Sequence, residues 1–184
     1  MINPCTDEQP VVPLPEAGLL LRPWQPEDAG ALLAAGEDLA IRQWNLLEVA
    51  SAEAARGRIA RMRERWRAGT GAVWAVDRGG RAVGLIGLNG LDLDPAVRGG
   101  ELVYWLLPAA RGAGLAVPVV LALSDWAFGE LGLHRVRLCH AVANQASCRV
   151  AVGAGFEYEG TMRDALRHQD GWHDQHLHAL VRGD

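Results

Sequence analysis

The sequence predicts one mixed α/β domain. Three observations carry that reading: a length of 184 residues, an apolar share of 49% beside 22% charged residues, and an alternation of stretches in the order β-α-α-β-β-β-α-β-α-β-β. The 22 glycines and nine prolines fall between apolar stretches rather than in one biased tract, so they read as turns between short elements. No repeat period or composition break divides the chain. Residues 1–184 are expected to form a single domain in which 1–18 is a Pro-rich N-terminal arm.

Leu19 to Leu21 lead into Arg22-Pro23-Trp24 as a strand, and Gln25-Pro26-Glu27-Asp28 has the proline and acids of a helix start. From Ser51, Ala55, Ile59, Met62 and Trp66 recur at helical spacing while arginines occupy the other faces, an amphipathic helix ending near Gly69. Those arginines read as a solvated helix face. Ala72–Val76 and Ala82–Leu88 are apolar runs joined by Asp77-Arg78-Gly79-Gly80-Arg81, a hairpin whose glycines supply positive φ. Glu101–Leu107 is the next strand, followed through a glycine-rich turn by a helix over Gly114–Phe128, with Pro118 tolerated near its start. Arg135–Val142 is a strand and Ser147–Gly153 a short helix. Phe156–Leu166 and Trp172–Val181 form a last hairpin around Gln169-Asp170-Gly171.

Composition removes several function classes. The longest apolar runs stop well short of the ~20 residues that span a bilayer, and Asp7 and Glu8 stand where a secretory signal needs basic residues. A cytoplasmic protein without membrane association is expected. The net charge of −4, with all 18 basic residues arginine and none in a continuous tail, argues against nucleic acid as a partner. Cys5, Cys139 and Cys148 are too few and too dispersed for a disulfide framework and read as reduced thiols.

The chemistry-bearing stretch is Glu101-Leu-Val-Tyr-Trp-Leu-Leu-Pro-Ala-Ala-Arg111-Gly112-Ala113-Gly114-Leu115-Ala116. A strand feeding a glycine turn and then a helix N-terminus leaves amides free at the positive end of the helix dipole, an arrangement that binds phosphate or pyrophosphate. A dinucleotide fold wants a fuller G-x-G-x-x-G after its first strand, and an NTPase loop wants a lysine this sequence lacks.

Arg111-Gly112-Ala113-Gly114-Leu115-Ala116 resembles the R/Q-x-x-G-x-G/A signature of the Gcn5-related N-acetyltransferases. It is joined in matching order by Leu21-Arg22-Pro23-Trp24, Glu101-Leu102-Val103-Tyr104-Trp105-Leu106, Asn144-Gln145-Ala146-Ser147, Gly155-Phe156, Gly160-Thr161-Met162-Arg163-Asp164 and Gly171-Trp172-His173-Asp174. The combination is similar to the ribosomal-protein (RimJ/RimL-like) subgroup and extends from about Leu19 to Val181. Val117-Pro118 and Gly153-Ala154 depart from the family pattern.

The resemblance implies a mixed, mostly antiparallel central sheet with helices on both faces, splayed between the strands 101–107 and 135–142. It implies acetyl-CoA as cosubstrate, with pantetheine in the opening and pyrophosphate on the amides from Arg111 through Gly112, Ala113, Gly114 and Leu115 to Ala116. It also implies an oxyanion-stabilising N–H near Leu106 or Leu107. Acetyl transfer to an amine further needs a proton donor for the departing thiolate and a path for the amine proton. Ser147 is the candidate donor, with Tyr158 second. Asn144, one turn away, reads as pantetheine-facing beside its ordinary capping role. Glu101 is the candidate base, and Glu159, Asp164 and His140 stay open.

Trp44 and Trp105 are placed on the acceptor side. Among the tail histidines, Asp174, His176 and His178 would share one strand face, but His168, His173, His176 and His178 read as surface positions and no metal is expected. The expected activity is direct transfer to a primary amine in a ternary complex. A protein or peptide N-terminal α-amine leads as acceptor; a small-molecule amine and a catalytically silent acyl-CoA sensor are the alternatives. Whether the protein is a monomer or a homodimer stays open.

Overall fold

The computed structural model describes residues 8–183, so Cys5 and Asp7 lie outside the described residues. Eight strands form one sheet in the order β1-β2-β3-β4-β5-β6-β8-β7: β1 (Val12–Leu14), β2 (Leu19–Pro23), β3 (Ala72–Arg78), β4 (Arg81–Asp92), β5 (Gly99–Leu106), β6 (Arg135–Ala141), β7 (Glu157–His168) and β8 (Gly171–Val181). The helices are α1 (Ala29–Glu37), α2 (Leu39–Asn45), α3 (Ala52–Arg67), α4 (Ala116–Gly129) and α5 (Gln145–Gly153). Every neighbouring pair is antiparallel except β5 and β6, which α4 links as a crossover.

Two elements go beyond the sequence expectation. Val12–Leu14 of the N-terminal arm pairs with β2 as an edge strand, too short to show a period of two. Leu39–Asn45 forms α2, begun by Asp38, whose carboxylate accepts from the Ile41 N–H at 2.8 Å.

Helices cover both faces of the sheet. Ala55, Ile59, Met62 and Trp66 are the buried face of α3, as their spacing predicts. Ile59 and Met62 pack with Leu32 of α1 and with Val73, Ala75 and Leu85 of the sheet. On the other face, Val119, Val120, Leu123 and Ala127 of α4 pack on Leu21, Trp74, Ile86, Leu88 and Leu102. Trp74 meets Trp126 and Trp66 edge-on at 4.8 and 5.8 Å, so these tryptophans fill the core. Arg22 ties the first helical turn to the sheet, donating to Asp28 at 2.7 Å and to Asp77 at 2.8 Å. Among the described residues no helix is long and apolar enough to cross a membrane.

Candidate active site

The sheet opens where the only parallel pair among the described residues parts. β5 and β6 are paired at Gly99–Arg135, Gly100–Val136 and Glu101–Arg137, yet β5 runs on to Leu106 and β6 to Ala141. Leu102–Leu106 and Leu138–Ala141 therefore face one another across a wedge with no ladder between them. A cavity of about 760 Å³ occupies it, and its walls continue onto α2, the 110–117 turn and the start of α5.

The glycine turn enters this cavity at the α4 N-terminus. Gly112 and Gly114 stand at φ +76° and +71°, left-handed values that need glycine. The α4 N-terminus has no side-chain cap, and the backbone N–H groups from Gly112 to Ala116 form no turn or capping bonds, so an anion can take them. Two expectations narrow here. The Arg111 N–H is committed to the Pro108 carbonyl at 3.1 Å, and its guanidinium turns to Asp38 at 2.7 Å and the Leu106 carbonyl at 2.9 Å. Arg111 thus braces the turn against α2 instead of offering its charge. Ala113 sits in the turn but does not line the cavity, and neither does Leu107.

The Leu107 N–H donates to the Val83 carbonyl at 2.8 Å. Because an antiparallel ladder alternates, Leu106, opposite Gly84, turns its N–H away from β4 and into the opening. Of the two N–H groups expected at this position, that of Leu107 is taken by the ladder and that of Leu106 is not.

Ser147 is buried in the first turn of α5 and makes a hydrogen bond that sequence reading missed: its Oγ lies 3.0 Å from the Tyr104 hydroxyl, and either oxygen can donate. Burial drives the Tyr104 phenol above its ordinary pKa, with the Ser147 bond opposing, so it stays protonated at neutral pH. Asn144 caps α5, its Oδ1 accepting from the Ser147 N–H at 3.1 Å, and both residues line the cavity. Tyr104 was visible only as a strand residue; its alternation with Leu102 toward the α4 face was the available signal.

Glu101 lines the cavity together with Cys139 and His140. Burial first, then the Glu101 carboxylate, push the Cys139 thiol up to about 11, with Arg137 acting the other way. Glu159 pairs with Arg135 at the surface, and exposed Asp164 takes its N–H to Asp174 at 2.9 Å; neither lines the cavity. Tyr158 is exposed, bonded to Thr161 at 2.7 Å, and is likewise outside it.

Where α2 borders the cavity, Trp44 lines it and meets His168 and His173 edge-on at 5.7 and 6.0 Å. Trp105 reaches the wall from the core, 5% exposed and packed on Trp24 at 6.1 Å, so it shapes the pocket from beneath. Arg58 of α3, taken from sequence as part of a solvated face, is half-buried in the cavity wall, and its Nε has no partner. Burial, then Arg61 and Arg65, lower its pKa.

The tail histidines are not surface positions as a group, because His168 and His178 are buried. They divide by location. His168 bonds the Gln43 carbonyl at 2.6 Å, clasping the β7–β8 hairpin to α2, and His173 meets Asp170 within the turn at 2.8 Å, while His176 and His178 gather with His140 farther down the sheet.

Residues 18–157 match the family model described as the acetyltransferase (GNAT) domain. YdaF of Bacillus subtilis, provisionally named a ribosomal N-acetyltransferase, is 35% identical over 103 residues, a match spanning 56% of this chain and 55% of the relative. The chain thus spans about half the length of that relative. YoaA of the same organism, an uncharacterized N-acetyltransferase, is 26% identical over 89% of this chain and 93% of its own length. Among solved structures, RimL, a ribosomal L7/L12 α-N-protein acetyltransferase in complex with coenzyme A, superposes with a TM-score of 0.82 at 21% identity, over 94% of this chain and 98% of that one. The mixed sheet expected from sequence is the fold shared with that solved structure.

Proposed function

The chain belongs to the GNAT acetyltransferase family, and on that premise we propose that it transfers acetyl from acetyl-CoA to the α-amine of a protein or peptide N-terminus. The observation that carries this reading is the wedge between β5 and β6 opening onto the uncapped α4 start, since one cavity then offers strand edges for a pantetheine amide chain and free amides for a pyrophosphate. Bound there, acetyl-CoA supplies the thioester from which the acetyl group leaves.

The residues divide the remaining work. Gly112, Gly114, Leu115 and Ala116 hold the anion through backbone, and the Leu106 N–H points to where negative charge develops on the acyl oxygen. Ser147, held by Tyr104, donates the proton that the departing sulfur needs, and Asn144 fixes the turn carrying Ser147. Glu101 takes the proton from the incoming ammonium along the cavity wall. Trp44 borders the acceptor, and Trp105 supports that wall from the core. Direct attack is favoured because the lining presents a hydroxyl pair and a carboxylate, while Cys139 is held as a thiol.

A protein acceptor is supported by the ribosomal-protein acetyltransferase named among the structural neighbours. Titration calorimetry with acetyl-CoA, followed by a thiol-release assay over small amines and N-terminal peptides, tests both halves of the reading. Binding with release on peptides is the expected result. Release only on small amines would replace the acceptor class, and absence of acetyl-CoA binding would overturn the reading at its root.

A further inference from the structure

Four ligand-bearing side chains that acetyl transfer does not use converge on one point. His140 of β6, His176 and His178 of β8, and Cys148 in the first turn of α5 each present one ligand atom, and the four atoms lie within 4.8 Å of one another. The sheet register produces this. His140 stands directly opposite His176 and Leu138 opposite His178, so all three imidazoles occupy one face, and α5 packs against β6 on that face.

Three ring nitrogens in the cluster are left without a partner. His140 and His178 are 5% and 2% exposed, and Nε2 of His140 and both ring nitrogens of His178 are buried without a hydrogen-bond partner. The Phe156 backbone lies beside the His178 ring without making a bond of ordinary geometry. Buried nitrogens in that state cost desolvation that the fold does not return. His140 also has a nitrogen free for ligation: Nδ1 lies 2.9 Å from the Ala141 carbonyl, an oxygen that only accepts, so Nδ1 carries the proton and the lone pair sits on Nε2, which has no partner. A carbonyl-anchored ring of this kind is the usual support of a metal-bound histidine. Ring stacking explains the His140–His178 contact, at 5.2 Å and 23°, but it does not explain a thiol aimed at the same point.

We propose that His140, Cys148, His176 and His178 form a tetrahedral site for a divalent zinc ion. Three imidazoles and one thiolate are a borderline-soft set, and four protein ligands close the shell, which marks a structural site. Tetrahedral zinc would draw the ligand atoms to separations of about 3.3–3.6 Å, a closure within the reach of side-chain rotation. Cys148 releases its thiol proton to solvent on binding, and the imidazoles bind neutral. Since Cys148 follows Ser147, the ion ties the first turn of α5 to β6 and β8 beside the cleft. Asp174, the tail residue that shares this strand face, is not part of the set, because it accepts from the Asp164 N–H.

The test is a Co²⁺ titration of the chelator-treated full chain, read by visible absorption and followed by displacement with Zn²⁺. One Co²⁺ per chain is expected, with the d–d bands of a tetrahedral centre and a thiolate-to-cobalt charge-transfer band, and Zn²⁺ should raise Tm. Cys148→Ser should abolish the charge-transfer band and weaken affinity by about tenfold or more. His176→Ala, at a position less buried than His140 and His178, should weaken it comparably, whereas Cys139→Ser should leave the spectrum intact. A saturated protein lacking the charge-transfer band, no Co²⁺ binding, or a spectrum and affinity unchanged in both ligand variants overturns the site. None of these readouts depends on acetyl transfer.

Discussion

The Tyr104 hydroxyl lies 3.0 Å from Ser147 Oγ, joining the middle of β5 to the first turn of α5 across the cleft. A hydroxyl held by a protonated phenol is a better donor to a departing thiolate than one turning freely, because its proton is already directed and its oxygen polarised. Ser147→Ala should therefore lower kcat by about 10²-fold or more with acetyl-CoA affinity nearly unchanged. Tyr104→Phe should cost less, and the double variant should fall little below Ser147→Ala, since the two act as a unit. Steady-state rates and acetyl-CoA calorimetry on the three variants check this; additive losses would mean that the hydroxyls act separately.

The two departures from the family pattern touch each other. A Cβ built at Gly153 would lie 3.1 Å from Val117 Cγ2, so the branched residue in the first turn of α4 is accommodated by a glycine at the end of α5. Gly153→Ala should be close to neutral, its helix-propensity gain of up to about 1 kcal/mol cancelled by the crowding. In a Val117→Ala background the same change should stabilise by most of that gain. Chemical denaturation of the four proteins measures the coupling, and an equal effect of Gly153→Ala in both backgrounds would remove it.

What could be read from sequence depended on how far apart the interacting residues stand. Ala55, Ile59, Met62 and Trp66 declare α3 by spacing, and the Asp77–Arg81 turn declares its hairpin through Gly79 and Gly80, at φ +63° and +81°; both signals are local. The glycine turn leading into α4, with Gly112 and Gly114 at positive φ, was legible for the same reason. Tyr104 and Ser147 are joined only by sheet topology, and His140 meets His176 only through the β6–β8 register. Neither relationship leaves a periodic trace. Arg58 was misread because a helix pattern identifies the apolar stripe but not which flanking position overhangs a cavity.

Acid should attack the fold at Arg22. Burial raises the Asp28 pKa, but the hydrogen bonds from Arg22 and the Gln25 N–H outweigh it, leaving the carboxyl below its ordinary value. A carboxylate depressed in the folded state contributes stability that is fully present above its unfolded pKa of about 3.9 and is lost as pH falls through the lower folded value. Tm should thus be insensitive to this group between pH 5 and 8, in the range where it is fully ionised, and should fall below pH about 4. Asp28→Asn should be less stable at neutral pH and show a shallower acid slope. Thermal denaturation across that range decides the matter, and parallel profiles would place the acid sensitivity elsewhere.

Arg58 makes the most specific statement about the acceptor. It lines the same cavity as Trp44, its Nε is buried without a partner, and the arginines near it, Arg61 and Arg65, repel rather than neutralise it. A half-buried cation in that state is stabilised by an incoming carboxylate, and charge-assisted hydrogen bonds to a guanidinium are the strong ones. Peptides with Asp or Glu near the N-terminus should accordingly be better acceptors than their Asn or Gln counterparts. Arg58→Met keeps the apolar stem that covers the wall while removing the charge. It should raise KM for acidic peptides by about tenfold, the equivalent of ~1.4 kcal/mol, and leave KM for neutral peptides and for acetyl-CoA within about twofold. A uniform rise across all peptides would assign Arg58 to shaping the wall, and an unchanged preference for acidic peptides would assign their recognition to other residues.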